Sequence, residues 1–367
     1  MKITKISAAS WLILFLILAS CSTALVDYEN DVVKDNKSIS GSGVIEFFSY
    51  QEFNSPNIKA AETLLKTSSL KGKQRKDLRL LHRNLQQVKA KEAYVLKLHP
   101  KDPYASKIIQ LIYHFNLPIT ALWDQANKKH IFSDLVSDKP EGFCASLYDD
   151  ALQSIYNEIN QSSESTLIIY APEYQLLVSE IRKSLAQVDS ILLASNDLQE
   201  FTARILGIED SNKRLSRIQS LNPNKKLIFV PRSRSDVERI ILLLQPKDYK
   251  SVIPALRYHG GNKFKYINFI SAVQSLDSTK KLLDYEGSFI PLSFYLSKKF
   301  HSGEQQSING ILENAILNDW LLNQILDQAG IRSAEIYGMT GKLIYEKNRC
   351  MKRIIPLQKI DSRWVNS

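Results

Sequence analysis

The sequence predicts an α/β protein with two lobes, in which parallel sheets are flanked by helices and a β-hairpin lies near the C-terminus. Short, almost continuous apolar runs alternate with helical patterns along most of the 367 residues, as in parallel sheets that are covered on both faces. A Lys-, Asp- and Pro-rich interval at 124–142 separates the first runs from the later ones. An alternating apolar pattern around a Lys-Asn turn predicts the hairpin.

The first residues indicate export. Lys2 and Lys5 precede an apolar run, Trp11–Ala19, of nine residues, whereas spanning a bilayer takes about 20. We therefore predict a signal peptide at 1–20. Leu18-Ala19-Ser20-Cys21 resembles the bacterial lipobox, which implies cleavage before Cys21 and a lipid on that cysteine. Because Ser22 follows it instead of Asp, the resemblance also implies sorting to the outer membrane, on its periplasmic side.

Residues 21–40 are predicted to be a lipidated cysteine and a flexible polar tether. The next region, 41–130, is predicted to be mainly the first α/β lobe. Its helix at 73–92 has Leu78, Leu81 and Leu85 at spacings of three and four, so that they share one face. The remaining elements are strands at 44–50, 93–98 and 118–123, with a helix at 104–115.

Residues 131–270 are predicted to be mainly the second lobe. Its apolar runs predict strands at 166–170, 190–194, 226–230 and 266–271. Helical patterns accompany them at 145–160, 174–187, 198–221 and 236–244.

Residues 271–367 are predicted to contain return segments, a long helix and the hairpin. The helix runs over 310–329 and ends at Gly330. In the hairpin, 343–346 and 349–355 are strands, and Asn348 supplies the positive φ that a tight turn needs. Gly338 and Gly341 are expected to let the chain turn sharply out of the preceding helix.

The common motifs for catalysis and metal binding are incomplete or absent in the sequence. Gly341-Lys342 suggests a phosphate-binding loop, but Ile336 and Leu343 stand where that motif requires Gly and Ser or Thr. The sequence has no G-x-S-x-G nucleophile elbow, and its six histidines lack metal-ligand spacing. Asp102 and Asp149-Asp150 are interpreted as helix-start charges. We therefore predict no catalytic residues, no metal site and no cofactor, and expect that the protein is not an enzyme.

Two observations leave alternatives open. Cys144 and Cys350 could form a disulfide in an oxidising compartment, but the sequence does not show that they meet. The formal charge falls from +10 to +8 when Lys2 and Lys5 are removed. This charge suits anionic lipid head groups or acidic wall polymers, or reflects only a Lys-rich surface. Because the protein is predicted to be exported, its basic helix at 73–92 is interpreted as a solvated face and not as a nucleic-acid site.

The C-terminal stretch resembles a known family. Gly338-x-Thr340-Gly341-x-Leu343, followed by a turn and Arg349, is similar to the C-terminal signature of the LppC lipoproteins, which are penicillin-binding protein activators. Asn348 replaces the turn glycine of that signature, and its Trp and Phe are absent. Upstream, 117–122, 227–230 and 285–292 are similar to further segments of the family.

The resemblance implies a type I periplasmic-binding-protein-like fold, without the N-terminal helical-repeat domain that the family carries. It also implies a non-enzymatic outer-membrane lipoprotein that binds and regulates a peptidoglycan synthase, a bifunctional penicillin-binding protein. The alternative is a lipid-anchored periplasmic solute-binding protein. Because the tether is short, a role at the wall itself also stays open. The Leu98-His99 turn replaces the family's Gly-Pro, so a small-ligand site at that turn is not carried over.

Overall fold

The computed structural model describes residues 55–67, 72–91, 93–115, 117–126, 134–185, 188–193, 197–221, 223, 227–274, 276, 279–301 and 307–361. The chain divides into two compact units, with the boundary between Gln86 and Gln87. The predicted signal peptide, Cys21, Ser22, the tether and the strand at 44–50 lie outside the described residues. The lobe limits near 130 and 270 stay predictions.

In its described residues, the first unit contains α1 (Ser55–Thr67) and most of α2 (Gly72–Lys89). Its buried core consists of Ala61, Leu78 and Leu85, against which partly buried apolar residues pack: Ile58, Leu64, Leu65 and Leu81. The leucine spacing that predicted this amphipathic helix therefore marks the face of α2 that lies in the core.

The second unit begins with a small parallel sheet. Strands β1 (Tyr94–Leu98) and β2 (Ile119–Trp123) pair with Tyr94 opposite Ile119, and α3 (Ala105–His114) connects them. This strand-helix-strand unit agrees with the sequence prediction. Tyr94, Leu96 and Leu98 are buried while the residues between them are exposed, so only one face of β1 lies against the core.

A six-stranded sheet forms the centre of the second unit. Its order is β11-β7-β6-β5-β3-β4, and all its neighbours are parallel except β11, which runs antiparallel to β7. The strands are β3 (Thr166–Tyr170), β4 (Val188–Leu192), β5 (Arg239–Leu243), β6 (Lys265–Asn268), β7 (Phe289–Pro291) and β11 (Leu357–Lys359). The predicted α/β class, with parallel strands flanked by helices, is confirmed.

Helices connect these strands. They are α4 (Leu147–Gln161), α5 (Gln175–Ser184), α6 (Leu198–Ile205), α7 (Ile208–Leu221), α8 (Pro246–Gly260), α9 (Ser271–Gln274) and α10 (Phe294–His301). Two 3₁₀ turns, Pro172–Tyr174 and Thr279–Tyr285, complete the connections. Helix α4 begins with a capping box in which Ser146 and Asp149 bond to each other's backbone N–H, so Asp149 acts at a helix start, as predicted.

The long helix α11 (Ile308–Gln328) connects the small sheet to the rest of the second unit. At its C-terminal end, the amide of Gln328 forms two hydrogen bonds with the backbone of Val95, of 3.0 and 2.8 Å. Near its start, Glu313 forms an ion pair with Lys107 of α3. This helix ends at Gln328, close to the predicted position, and Gly330 follows it with a φ of 68°.

The C-terminal strands form a sheet of their own. Strands β8 (Ser333–Tyr337), β9 (Lys342–Glu346) and β10 (Lys352–Ile354) are antiparallel, with β9 in the middle. The predicted hairpin is therefore present as β9 and β10, and β8 extends it by one strand. The element before Gly338 is β8 rather than the helix, so the two glycines form the turn between β8 and β9.

Two predicted elements between 226 and 244 were wrong. Residues 227–230 form no strand, and the predicted helix at 236–244 contains β5, which is buried throughout. A short apolar run such as 240–244 suits a buried strand and a buried helix equally, because periodicity does not distinguish them. The helix starts later, at Pro246, a residue that fits the first helical turn.

The predicted single helix at 198–221 is divided into α6 and α7. Gly207 lies between them with a φ of 76°, which glycine adopts readily and other residues rarely do. Apolar spacing alone does not reveal such a break, because both halves keep a helical period.

Candidate functional site

Ligands of parallel α/β sheets bind beyond the carboxyl ends of the strands, where loops and helix starts converge. In the six-stranded sheet, this edge lies after Tyr170 of β3, Leu243 of β5 and Asn268 of β6. Tyrosine, serine and glutamine side chains from α4, which precedes β3, and from the elements after these strands gather there. We call the group formed by Tyr148, Tyr174, Tyr249, Ser271 and Gln274 the strand-end cluster.

The inner part of this cluster is buried and bonded within the chain. The hydroxyl of Tyr249 donates to the carbonyl of Leu242 at 2.8 Å and accepts from the N–H of Leu244 at 3.2 Å. The hydroxyl of Ser271 donates to the carbonyl of Leu244 at 2.9 Å. Burial raises the pKa of Tyr249, so its phenol stays protonated at neutral pH. These hydrogen bonds hold the strand ends in place. They also occupy the polar groups to which a ligand could otherwise bind.

The outer part of the strand-end cluster is half-buried. The rings of Tyr148 and Tyr174 pack edge-on against Phe269, with centroids 5.0 and 5.8 Å away. The Tyr148 hydroxyl donates to the side-chain oxygen of Gln274. Burial raises the pKa of both phenols, which therefore act as neutral hydrogen-bonding groups and not as nucleophiles. This surface is suited to contact with a ring or an amide.

The carboxyl ends of the small sheet carry different residues. Trp123 ends β2 with 58% of its surface exposed, and Asp124 after it lies 3.7 Å from Lys97. At the Leu98-His99 turn, the His99 ring accepts a hydrogen bond from the N–H of Lys101 at 3.1 Å. These groups show no arrangement around a common point.

A second group of polar residues lies beneath the C-terminal strands. Asp319 of α11 is completely buried, and its carboxylate accepts hydrogen bonds from the N–H of Met339 at 2.7 Å and of Thr340 at 2.8 Å. The Thr340 hydroxyl donates to the same carboxylate. Burial raises the pKa of Asp319, while the bonds from Thr340 and Met339 and the charge of Arg353 act against that rise. The turn between β8 and β9 is thereby bonded to the long helix.

Close contacts explain both glycines of this turn. A Cβ atom at Gly338 would lie 2.5 Å from the Leu343 side chain and 2.6 Å from the Asp319 carboxylate. A Cβ atom at Gly341 would lie 2.5 Å from the carbonyl oxygen of Ile354, which is backbone and cannot rotate away. The Gly-x-Thr-Gly motif therefore has a packing role, since only glycine lets the turn approach α11 and β10 this closely.

Arg353 of β10 is the positive charge of this group. Its guanidinium is buried, lies 3.2 Å from the Asp150 carboxylate and stacks 4.8 Å from the ring centre of Phe143. Burial lowers the pKa of Arg353, against the effect of Asp150 and Asp319. Burial also raises the pKa of Asp150 to about 6, with Arg353 opposing the rise and Asp149 adding to it. We call Asp150, Asp319, Thr340 and Arg353 the hairpin cluster.

A disulfide holds the same region. Cys144 and Cys350 are bonded, with their Cα atoms 4.8 Å apart, which answers the question that the sequence left open. Beside the bond, the N–H of Met351 donates to the carbonyl of Gly142 at 2.7 Å, and the N–H of Cys144 donates to the carbonyl of Met351 at 2.9 Å. The turn between β9 and β10 is thus joined to the segment that precedes α4.

The residues singled out in the sequence have these positions. Asn348 has a φ of 65°, in the left-handed region. Lys342, the lysine of the rejected phosphate loop, forms an ion pair of 2.8 Å with Glu335. Cys21 and Ser22 lie outside the described residues. Sequence reasoning missed Asp319, although an acidic residue in the apolar stretch around Trp320 was a signal.

Within the described ranges, no group of three or more His, Cys, Asp or Glu side chains is arranged to hold a metal ion. Over the same parts of the chain, no helix combines the length and the apolar character needed to cross a bilayer.

The architecture defines the class: an α/β protein with parallel strands flanked by helices and antiparallel strands near the C-terminus. Among solved structures, the chain is similar to Haemophilus influenzae LpoA, with a TM-score of 0.38 and 12% identity. That match covers 89% of this chain and 56% of the LpoA chain, so the chain spans little more than half of that protein.

The chain is also similar to an ABC transporter substrate-binding protein from Desulfitobacterium hafniense in complex with Leu. This match has a TM-score of 0.33 and 11% identity, and it covers 83% of this chain and 92% of that one. No protein-family model matches the chain, and no curated protein matches it by sequence.

Proposed function

We propose that this protein is a lipid-anchored outer-membrane protein, without enzymatic activity, that binds and regulates a peptidoglycan synthase of the bifunctional penicillin-binding class. The observation that carries the proposal is the role of Gly338, Thr340 and Gly341. These are the residues through which the sequence resembles the LppC activators, and each makes a specific contact with α11 or β10. The signature of that family thus corresponds to a built element of this chain.

The strand-end cluster favours a protein partner over a small polar ligand. Tyr249 and Ser271 bond to backbone groups of the sheet, so that their hydroxyls are already engaged. A site for an amino acid or sugar requires convergent polar groups that are available to the ligand. The proposed regulator would act through its outer surface, by changing the activity of the synthase that it contacts.

The test is capture from detergent-solubilised envelopes with tagged protein, followed by assays of the captured synthase. We expect a bifunctional penicillin-binding protein to be enriched, and its glycan polymerisation or cross-linking rate to change when this protein is added. The control is the Asp319→Ala variant, in which the turn between β8 and β9 should lose the hydrogen bonds that hold it to α11. A purified synthase that neither binds this protein nor changes its rate would refute the proposal.

The half-buried rings of Tyr148 and Tyr174 favour a second candidate, a lipid-anchored solute-binding protein. Aromatic faces beside the amide of Gln274 are suited to contacts with an amino acid or a wall fragment. Thermal-shift measurements with amino acids, sugars and muropeptides distinguish the two candidates. A ligand at 100 times its dissociation constant adds about 2.7 kcal/mol to the free energy of unfolding. A stabilisation of that size, abolished by Tyr174→Ala, would favour the solute-binding function.

A further inference from the structure

Helix α7 and the segment after it form an exposed structure, which we call the basic arm: residues 208–221 together with 227–232. Residues 216–221, the last six of the helix, are all exposed. Its start is anchored, because Ile208 is buried. The second half of α7 is therefore exposed to solvent on all its faces.

The segment 227–232 runs back along this helix. The N–H of Arg232 donates to the Ser211 hydroxyl at 3.0 Å, and the N–H of Arg234 donates to the carbonyl of Leu206 at 2.8 Å. The chain therefore leaves α7 at its far end and returns to its start. In the part of the chain that the structure describes, no strand pairs with 227–232.

Large apolar side chains are exposed on both parts of the arm. Leu221 is 78% exposed on the helix, while Ile228 and Val230 on the return segment are 101% and 73% exposed. Ile228 and Val230 are two residues apart, as for side chains that share one side of an extended chain. Surface apolar residues are ordinary when single, but a group of them marks a site of interaction.

Beyond the first turn of α7, where Glu209 and Asp210 lie, the charge of the arm has one sign. Between Ser211 and Arg232 the sequence has no Asp or Glu, and it has six basic residues: Lys213, Arg214, Arg217, Lys225, Lys226 and Arg232. On α7, Arg214, Arg217 and Leu221 are spaced by three and four, so they share one face of the helix. Basic and apolar side chains are thus presented together.

We propose that the basic arm contacts an anionic phospholipid bilayer. Leu221, Ile228 and Val230 enter the interfacial region, while Arg214, Arg217 and Arg232 bind the lipid phosphates. Protruding apolar side chains flanked by bases are the pattern of interfacial insertion, which needs no matching pocket. This inference goes beyond the proposed function and does not depend on a synthase partner.

Vesicle flotation tests the proposal with the chain from Ser22 onward, which lacks both the signal peptide and the lipid. Vesicles of phosphatidylcholine are compared with vesicles that also contain phosphatidylglycerol. We expect binding only to the anionic vesicles, and weaker binding as salt rises. Arg214→Gln with Arg217→Gln should weaken binding by about thirtyfold at low salt, since each base near an anionic surface contributes about 1 kcal/mol. Leu221→Ser with Val230→Ser should weaken it by about tenfold or more.

The matched control is Leu176→Ser with Arg182→Gln, a pair of exposed residues on α5, outside the arm. This control should bind vesicles as the unmodified chain does. All the variants should have the melting temperature of the unmodified chain, because the changed side chains are exposed. Loss of binding in both arm variants but not in the control would support the proposal. Equal binding to neutral vesicles, or unchanged binding of the Leu221/Val230 variant, would overturn the proposal. Absence of binding to any vesicle would also overturn it, and would indicate that the arm contacts a protein instead.

Discussion

The middle of the six-stranded sheet and the C-terminal strands are stabilised in different ways, although the first residue of β5, Arg239, is also a buried charge, 3.2 Å from Glu164. In the centre of the sheet, Ile240, Ile241 and Leu242 are fully buried and make apolar contacts on both faces. Beneath the C-terminal strands, the fully buried groups include the carboxylate of Asp319 and the guanidinium of Arg353. Apolar burial is non-directional, whereas a buried charge is stable only with particular partners at particular distances.

This difference predicts which substitutions each region tolerates. A sheet residue replaced by a slightly smaller apolar one loses only part of its contacts. A hairpin-cluster residue replaced by an apolar one leaves its partners buried and unpaired, which costs more than the pair itself contributes. The four predictions below test this contrast, from the largest expected effect to the smallest.

Asp319→Ala should lower the free energy of unfolding by about 3–5 kcal/mol, because the buried N–H groups of Met339 and Thr340 lose their acceptor and Arg353 loses a nearby negative charge. Ile241→Val, which removes one methyl group from the sheet, should cost about 0.5–1.5 kcal/mol. Urea denaturation measures both values. Equal losses of unfolding free energy in the two variants would mean that the two regions do not differ in this way.

Replacing Cys144 and Cys350 together by Ser should cost about 2–5 kcal/mol, because the disulfide joins residues 206 positions apart and restricts the unfolded chain. Amide hydrogen exchange should increase first in β9 and β10, and least in β5. Reducing agent should destabilise the unmodified protein by a similar amount and leave the double variant unchanged. Uniform loss of protection over the sheet would argue against a local role for the disulfide.

Gly341→Val should cost about 1–3 kcal/mol, since its Cβ would collide with the backbone carbonyl of Ile354. Lys342→Ala is the neighbouring control and should cost less than about 1 kcal/mol, because its ion pair with Glu335 is partly exposed. Thermal melting ranks the two variants. ATP or GTP binding that Lys342→Ala abolishes would instead identify the turn as a nucleotide loop.

The pH dependence of stability tests Asp150. Burial raises its pKa to about 6 in the folded protein, whereas an unfolded Asp titrates near about 4. Between these values the folded state binds more protons than the unfolded state, so the contribution of Asp150 to stability falls as pH rises from about 4 to about 6.

Asp150→Asn removes this titration, so the stability of the unmodified protein relative to the variant should be greater at pH 4.5 than at pH 7, by about 1–2 kcal/mol. Urea denaturation at both pH values measures the difference. In the folded protein, the carboxyl carbon resonance of Asp150 should titrate with a midpoint at a pH of about 6. A midpoint below about 4 would mean that Arg353 outweighs burial at this site.

Local patterns in the sequence determined most of the fold. The apolar runs at 94–98 and 166–170 are strands next to helical patterns, and the run at 342–346 is a strand of the hairpin that its turn residues predict. Spacings of three and four likewise located α2 and α11. These features depend on neighbours along the chain, so the sequence alone contains the information.

Other features depended on contacts between distant residues. The strand at 239–243 was mistaken for a helix, because only pairing with β3 and β6 distinguishes a buried strand from a buried helix. The turn glycines were recognised in the sequence, but the reason that both positions require glycine was not. That reason is their close approach to α11 and to the backbone of β10. The Cys144–Cys350 bond and the ion pair of Arg353 with Asp150 join residues about 200 positions apart. The sequence specifies these groups, but their burial and their distances are decided by tertiary packing.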